Sequence, residues 1–270
     1  YVPHGINHNI FMPIDALHKN HDKVKKYKQH AFGNKQYDFV VFWNNRNIRR
    51  KLPGDVVLAF KTFCDMLPKD ESKKCVLVMH TQPVDDNGTD LPAVVKELCP
   101  DYDVIFSNEK LDNDQMCWMY NIADVTINIA SNEGFGLGTC ESLMCGTPIV
   151  VNVTGGLQDQ CGFKKEDGSY LTVDDYTDEF QSNHRGRYKE HGDWVYPVFP
   201  SSLSLQGSPP TPYIFDDRPT YDDAADGLKH FYDMGEEKRK ECGEKGMEFV
   251  QTEEIGMTAE NMSKRFIKDI

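Results

Sequence analysis

The sequence predicts an α/β protein built on a doubly wound parallel sheet, and three observations predict it. Short apolar, β-branched runs alternate with segments of helical spacing over residues 37–153. A glycine-rich run opens one of these helical segments. No internal repeat or long low-complexity stretch interrupts the alternation. Repeated βα units of this kind place ligands beyond the carboxyl ends of the strands.

The predicted elements follow in chain order. Strands are expected at residues 37–43, 75–80, 104–106, 125–129 and 147–153. Helices are expected at residues 53–67, 91–98, 112–122 and 137–145. Pro53 suits a first helical turn, and Gly146 with Pro148 ends the last of these helices. Its inward stripe is predicted to be Leu137, Cys140, Leu143 and Met144. Residues 221–270 indicate two or three amphipathic helices.

Residues 131–159 read SNEGFGLGTCESLMCGTPIVVNVTGGLQD and carry the most functional information. Gly134 and Gly136 allow a tight backbone that approaches a ligand closely. The helix that follows would point free backbone N–H groups and its positive dipole at an anion. Glu133 and Glu141 stand eight residues apart, and a carboxylate can accept two hydrogen bonds from vicinal sugar hydroxyls. The run therefore predicts a site for a phosphorylated sugar.

Composition limits the classes of function. The 270 residues carry a net charge of −13, which argues against broad nucleic-acid binding. None of the eight cysteines forms a Cys-x-x-Cys pair, so free thiols in a reducing cytoplasm are expected. No apolar stretch approaches the length of a membrane span. Because the chain starts at Tyr1 rather than at a methionine, we expect a fragment of a longer protein.

The run EGFGLGTCESLMCGTPIVVNVTGGLQD resembles the Glu-x7-Glu signature of the retaining GT-B glycosyltransferases of group 1. The resemblance implies that Glu133 contacts the donor sugar and that Glu141 binds the nucleotide ribose. It also implies that the helix N-terminus faces the donor diphosphate. Gly138 and Thr139 depart mildly from the residue types usual in the family. The positions implied to bind the donor are Gly134, Phe135, Gly136, Leu137, Gly138, Thr139 and Glu141.

A basic loop, WNNRNIRRKLPG, follows the first predicted strand. Arg46 and Lys51 match the Arg and Lys that neutralise the donor diphosphate in the same family, and Glu133, Arg46 and Lys51 are the implied catalytic residues. The alternative is a solvated basic loop without a role in binding. Arg49 and Arg50 are expected to be solvated in either case. The family usually has glycine where Asn45 stands. Either Asn45 adopts a left-handed conformation, or the loop has a different shape.

The opening YVPHGINHNIFMPID resembles the interdomain linker of the family, although an ordinary polar turn at Gly5 is the alternative. The resemblance implies a linker over residues 1–20 and a Rossmann-like donor domain over residues 21–270. The chain would then be the C-terminal half of a GT-B fold that lacks its N-terminal acceptor domain. Residues 160–193 and 203–219 are expected to be insertions, either surface loops or contacts for an acceptor or subunit. VIFSNEKL, at residues 104–111, is either the base contact or a plain strand end.

Metal sites are not expected. The pairs Asp101/Asp103 and Asp112/Asp114 have Asp-x-Asp spacing, but such pairs arise by chance in a chain this rich in aspartate. Four histidines lie near the start without a cysteine at zinc spacing, namely His4, His8, His18 and His21.

The resemblance therefore implies a metal-independent, retaining hexosyltransferase without a cofactor, which takes a nucleoside diphosphate sugar as donor. Its acceptor, a sugar, glycan, lipid or protein, is not identified, and the isolated chain is expected to transfer little. Two alternatives remain: a nucleotide-sugar epimerase or hydrolase of the same fold, and a non-catalytic sugar-nucleotide-binding module.

Overall fold

The computed structural model describes residues 2–178 and 180–268. The strands are β1 (Phe39–Asn44), β2 (Cys75–His80), β3 (Asp103–Ser107), β4 (Val125–Asn128), β5 (Ile149–Asn152), β6 (Val195–Val198), β7 (Ser202–Ser208) and β8 (Thr211–Arg218). The helices are α1 (His21–Phe32), α2 (Pro53–Asp65), α3 (Lys69–Ser72), α4 (Leu91–Leu98), α5 (Asn113–Ile122), α6 (Leu137–Met144), α7 (Tyr221–Asp233), α8 (Gly235–Gln251) and α9 (Ala259–Lys268). Short 3-10 turns occupy Arg49–Lys51, Gly155–Gln160 and Val173–Asp175.

Six strands form one parallel sheet in the order β3-β2-β1-β4-β5-β6. The predicted fold class, a doubly wound parallel α/β sheet, is confirmed. The strand order reverses between β1 and β4, so the connections that leave their carboxyl ends diverge. Such a reversal opens a crevice at the carboxyl edge of the sheet, where ligands bind in this class of fold.

The central strand β1 shows how the sheet is covered on both faces. Phe39, Val41 and Trp43 are fully buried in a cluster with apolar residues of α2 and α7. Val40 and Phe42 are fully buried on the opposite face, in a cluster that includes residues of α5, α6 and α8. The period of two sends alternate side chains to opposite faces. Each large apolar side chain buried in this way stabilises the fold by about 1.5–3 kcal/mol.

Three features differ from the sequence-based expectation. Helix α1 was not expected, because within it Phe32 alone is buried and its pattern is mostly polar. Leu137 was expected to face inward, but it is 51% exposed in the first turn of α6. Residues 203–219 form most of an antiparallel hairpin, β7–β8, rather than an irregular loop.

The opening segment packs against the end of the chain. The backbone N–H of Ile6 donates to Met257 O at 2.9 Å, and the N–H of Ala259 donates to Ile6 O at 2.9 Å. The division into a linker and a donor domain stays a prediction. Tyr1 of the expected linker, Glu179 of the expected insertion, and Asp269 and Ile270 of the expected closing helices lie outside the described residues.

Candidate functional site

The glycine-rich run lies beyond the carboxyl end of β4, at the crevice where the strand order reverses. Helix α6 begins after Gly136, whose φ of 86° is left-handed and which has no side chain to cap the helix. The first N–H groups of a helix have no intrahelical acceptors. The hydroxyl of Thr139 donates to Gly136 O at 2.8 Å, and the N-cap of α6 makes no side-chain hydrogen bond to these amides. The helix N-terminus is therefore available to an anion.

Lys51 and Glu133 meet across the crevice. The Lys51 ammonium donates to the Glu133 carboxylate, and both side chains are largely buried, with exposed fractions of 9% and 12%. Arg50 lies 3.8 Å from the same carboxylate and donates to Asn132 O at 2.9 Å. The loop after β1 and the loop after β4 are thereby joined. Arg50, expected to be solvated, instead bridges the two loops.

The charge on Lys51 is sensitive to its surroundings. Burial and the neighbouring Arg50 guanidinium lower the pKa of Lys51 to about 7. Glu133 acts in the opposite sense, because an adjacent carboxylate favours the protonated ammonium. An anionic ligand in the crevice would stabilise the charged form in the same way.

Arg46 lies apart from the Lys51–Glu133 pair. Its guanidinium forms a forked ion pair with Asp85, at 2.9 and 3.3 Å, and its side chain is 63% exposed. The left-handed conformation considered for Asn45 is not found, because Leu52 and Arg185 are the non-glycine residues with positive φ among those described. The loop therefore has a different shape, as the second sequence-based alternative stated.

Asn47 sets that shape and was missed by the sequence analysis. This fully buried amide donates to Gln82 O, Pro83 O and Thr89 O at 3.3, 3.1 and 2.7 Å. It therefore ties the loop after β1 to the loop after β2. A polar residue inside a run of arginines gave no signal of this role.

Glu141 lies in the second turn of α6 and ends a chain of hydrogen bonds. The Tyr120 hydroxyl donates to its carboxylate at 2.8 Å, and Asn44 Nδ2 donates to that hydroxyl at 2.9 Å. Burial raises the pKa of Glu141, and the Tyr120 hydrogen bond opposes the shift. Tyr120, which was not singled out from the sequence, thus orients the second glutamate of the signature.

The Gly155–Gly156 turn packs against the backbone of the first glutamate. The Gly156 N–H donates to Glu133 O at 3.0 Å. A Cβ atom on Gly155 would lie 2.1 Å from Glu133 O, and one on Gly156 would lie 2.2 Å from Gly134 O. Since real Cβ atoms do not approach so closely, glycine is required at both positions. The turn after β5 thus supports the loop after β4.

One aspartate of each acidic pair that could suggest a metal has a structural partner. Asp103 binds Lys35 at 2.8 Å and Tyr37 at 2.8 Å, and Asp112 caps α5 in a capping box with Gln115. Within residues 2–178 and 180–268, no three His, Cys, Asp or Glu side chains are grouped so that they could hold a metal ion. In the segment at residues 104–111, which was considered as a base contact, the Ser107 hydroxyl lies 3.0 Å from His80 Nδ1 at the carboxyl edge of the sheet.

Sequence comparison finds no family model that matches the chain. Two curated proteins resemble parts of it, both D-inositol 3-phosphate glycosyltransferases. The protein of Thermomonospora curvata is 51% identical over 39 residues, which is 14% of this chain and 9% of that protein. The protein of Streptosporangium roseum is 28% identical over 158 residues, 57% of this chain and 34% of that protein. The similarity thus spans about a third or less of each curated relative.

Solved structures share the fold at low sequence identity. HepE of Anabaena, in complex with UDP and glucose, superimposes with a TM-score of 0.64 at 12% identity, over 99% of this chain and 55% of that chain. The C-terminal domain of the glycosyl transferase group 1 protein LpcC of Francisella tularensis gives a TM-score of 0.51 at 15% identity, over 92% and 97%. Within the part of the chain that is described, no helix is long and apolar enough to cross a membrane. The curated proteins that resemble this chain are therefore glycosyltransferases, and its fold, as predicted, is that of the GT-B glycosyltransferases of group 1.

Proposed function

We propose that the chain is the donor-binding half of a retaining glycosyltransferase that uses a nucleoside diphosphate sugar. The observation that carries the proposal is the meeting of Lys51 and Glu133 beside the uncapped N-terminus of α6. The site thus combines a cation, free amides and a hydrogen-bonding carboxylate at the reversal of strand order. Solved structures of the neighbour HepE contain UDP or UDP-glucose.

Each group has a role that follows from its chemistry. Lys51 and the first-turn amides of α6 would hold the diphosphate, since both present positive charge to an anion. Glu133 would accept hydrogen bonds from hydroxyls of the donor sugar. Glu141, oriented by Tyr120, would accept them from the ribose.

Arg46 is proposed as a second cation for the diphosphate, with one condition. Its guanidinium would have to exchange Asp85 for phosphate. Because the Arg46 side chain is exposed, solvent screens this ion pair, so a diphosphate with two negative charges can displace the carboxylate. Arg50, which already lies beside Glu133, is the nearer alternative.

The proposed reaction breaks the bond between the anomeric carbon and the diphosphate oxygen. Positive charge develops on the sugar and negative charge on the departing diphosphate. Preorganised donors aimed at the leaving group stabilise that charge, which is the function proposed for a divalent metal in other transferases. The acceptor hydroxyl would attack from the face that the diphosphate leaves and pass its proton to the departing diphosphate oxygen, so the anomeric configuration is retained. The eight buried, free thiols support a location in a reducing compartment such as the cytoplasm.

Thermal unfolding in the presence of UDP, GDP, ADP and their sugars, with EDTA throughout, tests the proposal. A ligand at 100 times its Kd should raise Tm by about 5–10 °C. A shift with one nucleotide series would identify the base and show binding without a metal. A folded protein whose Tm no nucleotide changes would overturn the donor site. For a binding-competent protein, product analysis without acceptor separates a transferase from an epimerase or hydrolase.

A further inference from the structure

The base of the β7–β8 hairpin is buried, although its tip is exposed. Leu205 and Tyr213, near the tip, are 62% and 65% exposed, whereas Asp217 is fully buried. This part of the chain was expected to be an insertion. Its buried carboxylate lies beneath the loops that form the proposed donor site.

Asp217 forms hydrogen bonds with polar groups from three parts of the chain. Its N–H donates to Ser131 O at 2.7 Å, and its carbonyl accepts from Asn152 Nδ2 at 2.7 Å. One carboxylate oxygen accepts from Thr154 Oγ1 and the other from Asn183 Nδ2, both at 2.7 Å. Ser131 precedes the Glu133 loop, and Thr154 precedes the Gly-Gly turn. Asp217 therefore joins both loops to the segment around Asn183.

Asp216, the preceding residue of β8, also binds the segment just before Glu133. Its Oδ1 accepts from Ser131 Oγ at 3.2 Å and from Asn132 Nδ2 at 2.6 Å. The segment around Asn183 is tied in turn to the glycine turn, because Gly155 N–H donates to Ser182 O at 2.8 Å. Two consecutive aspartates thus hold the residues on the N-terminal side of Glu133.

Stability alone does not account for the Asp217 carboxylate. Its two oxygens accept from a hydroxyl and an amide rather than from a cation, and burying such a charge costs free energy. A buried carboxylate whose two oxygens are both hydrogen-bonded does, however, favour one geometry of the groups around it. The atoms that it fixes are those that support Glu133.

We propose that Asp217 is a positioning residue for the donor-sugar subsite: it holds the Glu133 loop and the Gly155–Gly156 turn in one relative arrangement. The role in sugar binding rests on the proposed function, whereas the ordering of the two loops does not. Asp217 acts through Ser131 and Thr154 and does not itself touch the donor. Its loss should therefore affect the sugar end of the ligand more than the nucleotide end, which Glu141 on α6 would hold.

The test compares Asp217→Ala with Asp124→Asn. Asp124 is also a largely buried carboxylate, but it precedes β4, at the opposite end of the strand from Ser131. For Asp217→Ala we expect the Kd of UDP-glucose to rise about tenfold and that of UDP to change less than about threefold. Asp124→Asn should change neither Kd by more than about threefold, although it lowers Tm. Asp217→Asn, which keeps one acceptor for Asn183, should lie between Asp217→Ala and the unmodified protein.

Hydrogen exchange gives a readout that needs no ligand. In Asp217→Ala, peptides that cover residues 131–138 and 154–160 should exchange faster than in the unmodified protein, whereas in Asp124→Asn they should not. Equal weakening of UDP and UDP-glucose, or unchanged Kd values with unchanged exchange, would overturn the proposal. If Asp217→Ala does not fold, Asp217→Asn and Thr154→Val carry the same comparison. If the unmodified protein binds no nucleotide, the proposed function fails, and the exchange data still decide whether Asp217 orders the loops.

Discussion

Lys51 is the residue at which charge and function are most closely linked. Burial and Arg50 lower its pKa to about 7, so the ammonium is charged at pH 6 and increasingly neutral above pH 7. A bound diphosphate would favour the charged form, and binding above pH 7 would then take up a proton. The affinity for UDP-glucose, whose diphosphate does not titrate in this range, should fall with rising pH by at most about tenfold per pH unit.

Isothermal titration of UDP-glucose between pH 6 and 8.5 checks this dependence. Lys51→Arg is the control, since a guanidinium stays charged over the whole range. Its affinity should be independent of pH. A pH-independent affinity in the unmodified protein would show that Glu133 keeps Lys51 fully protonated and that the ammonium does not limit binding.

Glu141 is expected to recognise the ribose. A hydrogen bond to a charged group contributes about 1.5–3 kcal/mol, so Glu141→Ala should weaken UDP binding about 10–100-fold. Pyrophosphate, which has no ribose, should bind the variant as it binds the unmodified protein. Tyr120→Phe removes the hydroxyl that orients the carboxylate and should cause a smaller loss. Equal losses for UDP and pyrophosphate would assign Glu141 to the shape of α6 instead.

The residues of the candidate site were not equally predictable. Glu133 and Glu141 share one short run, so their spacing is enough to place them on a loop and the helix that follows. Tyr120 and Asp217 approach that run from other elements, and a buried tyrosine or an aspartate in a polar segment gives no separate signal. Arg46 was predicted by position, but position does not reveal that Asp85 is close enough to bind it.

At the scale of elements, the loop before α6 depends on one glycine. Gly136 has a φ of 86°, and a Cβ atom there would lie 2.5 Å from Leu157 Cδ2 and 2.8 Å from Thr139 Oγ1. Gly136→Ala should therefore destabilise the protein by about 1–3 kcal/mol. It should also weaken the stabilisation by UDP-glucose, because the α6 amides would shift.

Gly134→Ala is the matched control for this prediction. A Cβ atom on Gly134 meets no heavy atom of the described residues within 4 Å, and its φ is not positive. Stability should therefore change by less than about 1 kcal/mol. Urea unfolding measures both variants. Equal effects of the two substitutions would show that the left-handed conformation at Gly136 is not needed.

Elements were predictable where the apolar pattern and the residues at the ends of the element indicate the same bounds. The bounds of β2 and α4 coincide with the expected residues 75–80 and 91–98, because an apolar β-branched run and an Asp90 N-cap mark them. Helix α1 lacks a clear apolar stripe, and its N-cap residue makes no side-chain hydrogen bond. The β7–β8 hairpin contains Pro212, and a proline within a run argues against a strand.

In the whole molecule, the carboxyl ends of the strands carry the loops of the candidate site, and the opposite ends hold the structural layers together. The carboxyl ends of β1 and β4 meet the loops of Lys51 and Glu133. The opposite ends are tied together by Asp124, which precedes β4 and accepts from the Val40 N–H at 2.8 Å. Loops at one end can therefore change for function while the other end holds the layers together.

The Asp124–Arg239 pair is the test of this separation. The Arg239 guanidinium donates to Asp124 at 2.6 Å and to Phe231 O at 3.1 Å, so it joins the sheet to α7 and α8. Asp124→Asn leaves a buried guanidinium without its carboxylate, which should cost about 3–5 kcal/mol of unfolding free energy in urea. Arg239→Met together with Asp124→Asn should recover part of that loss, because no charge is then left unpaired. UDP-glucose affinity, measured well below Tm, should stay unchanged in both proteins. A loss of affinity that follows the loss of stability would show that the two ends of the sheet are coupled.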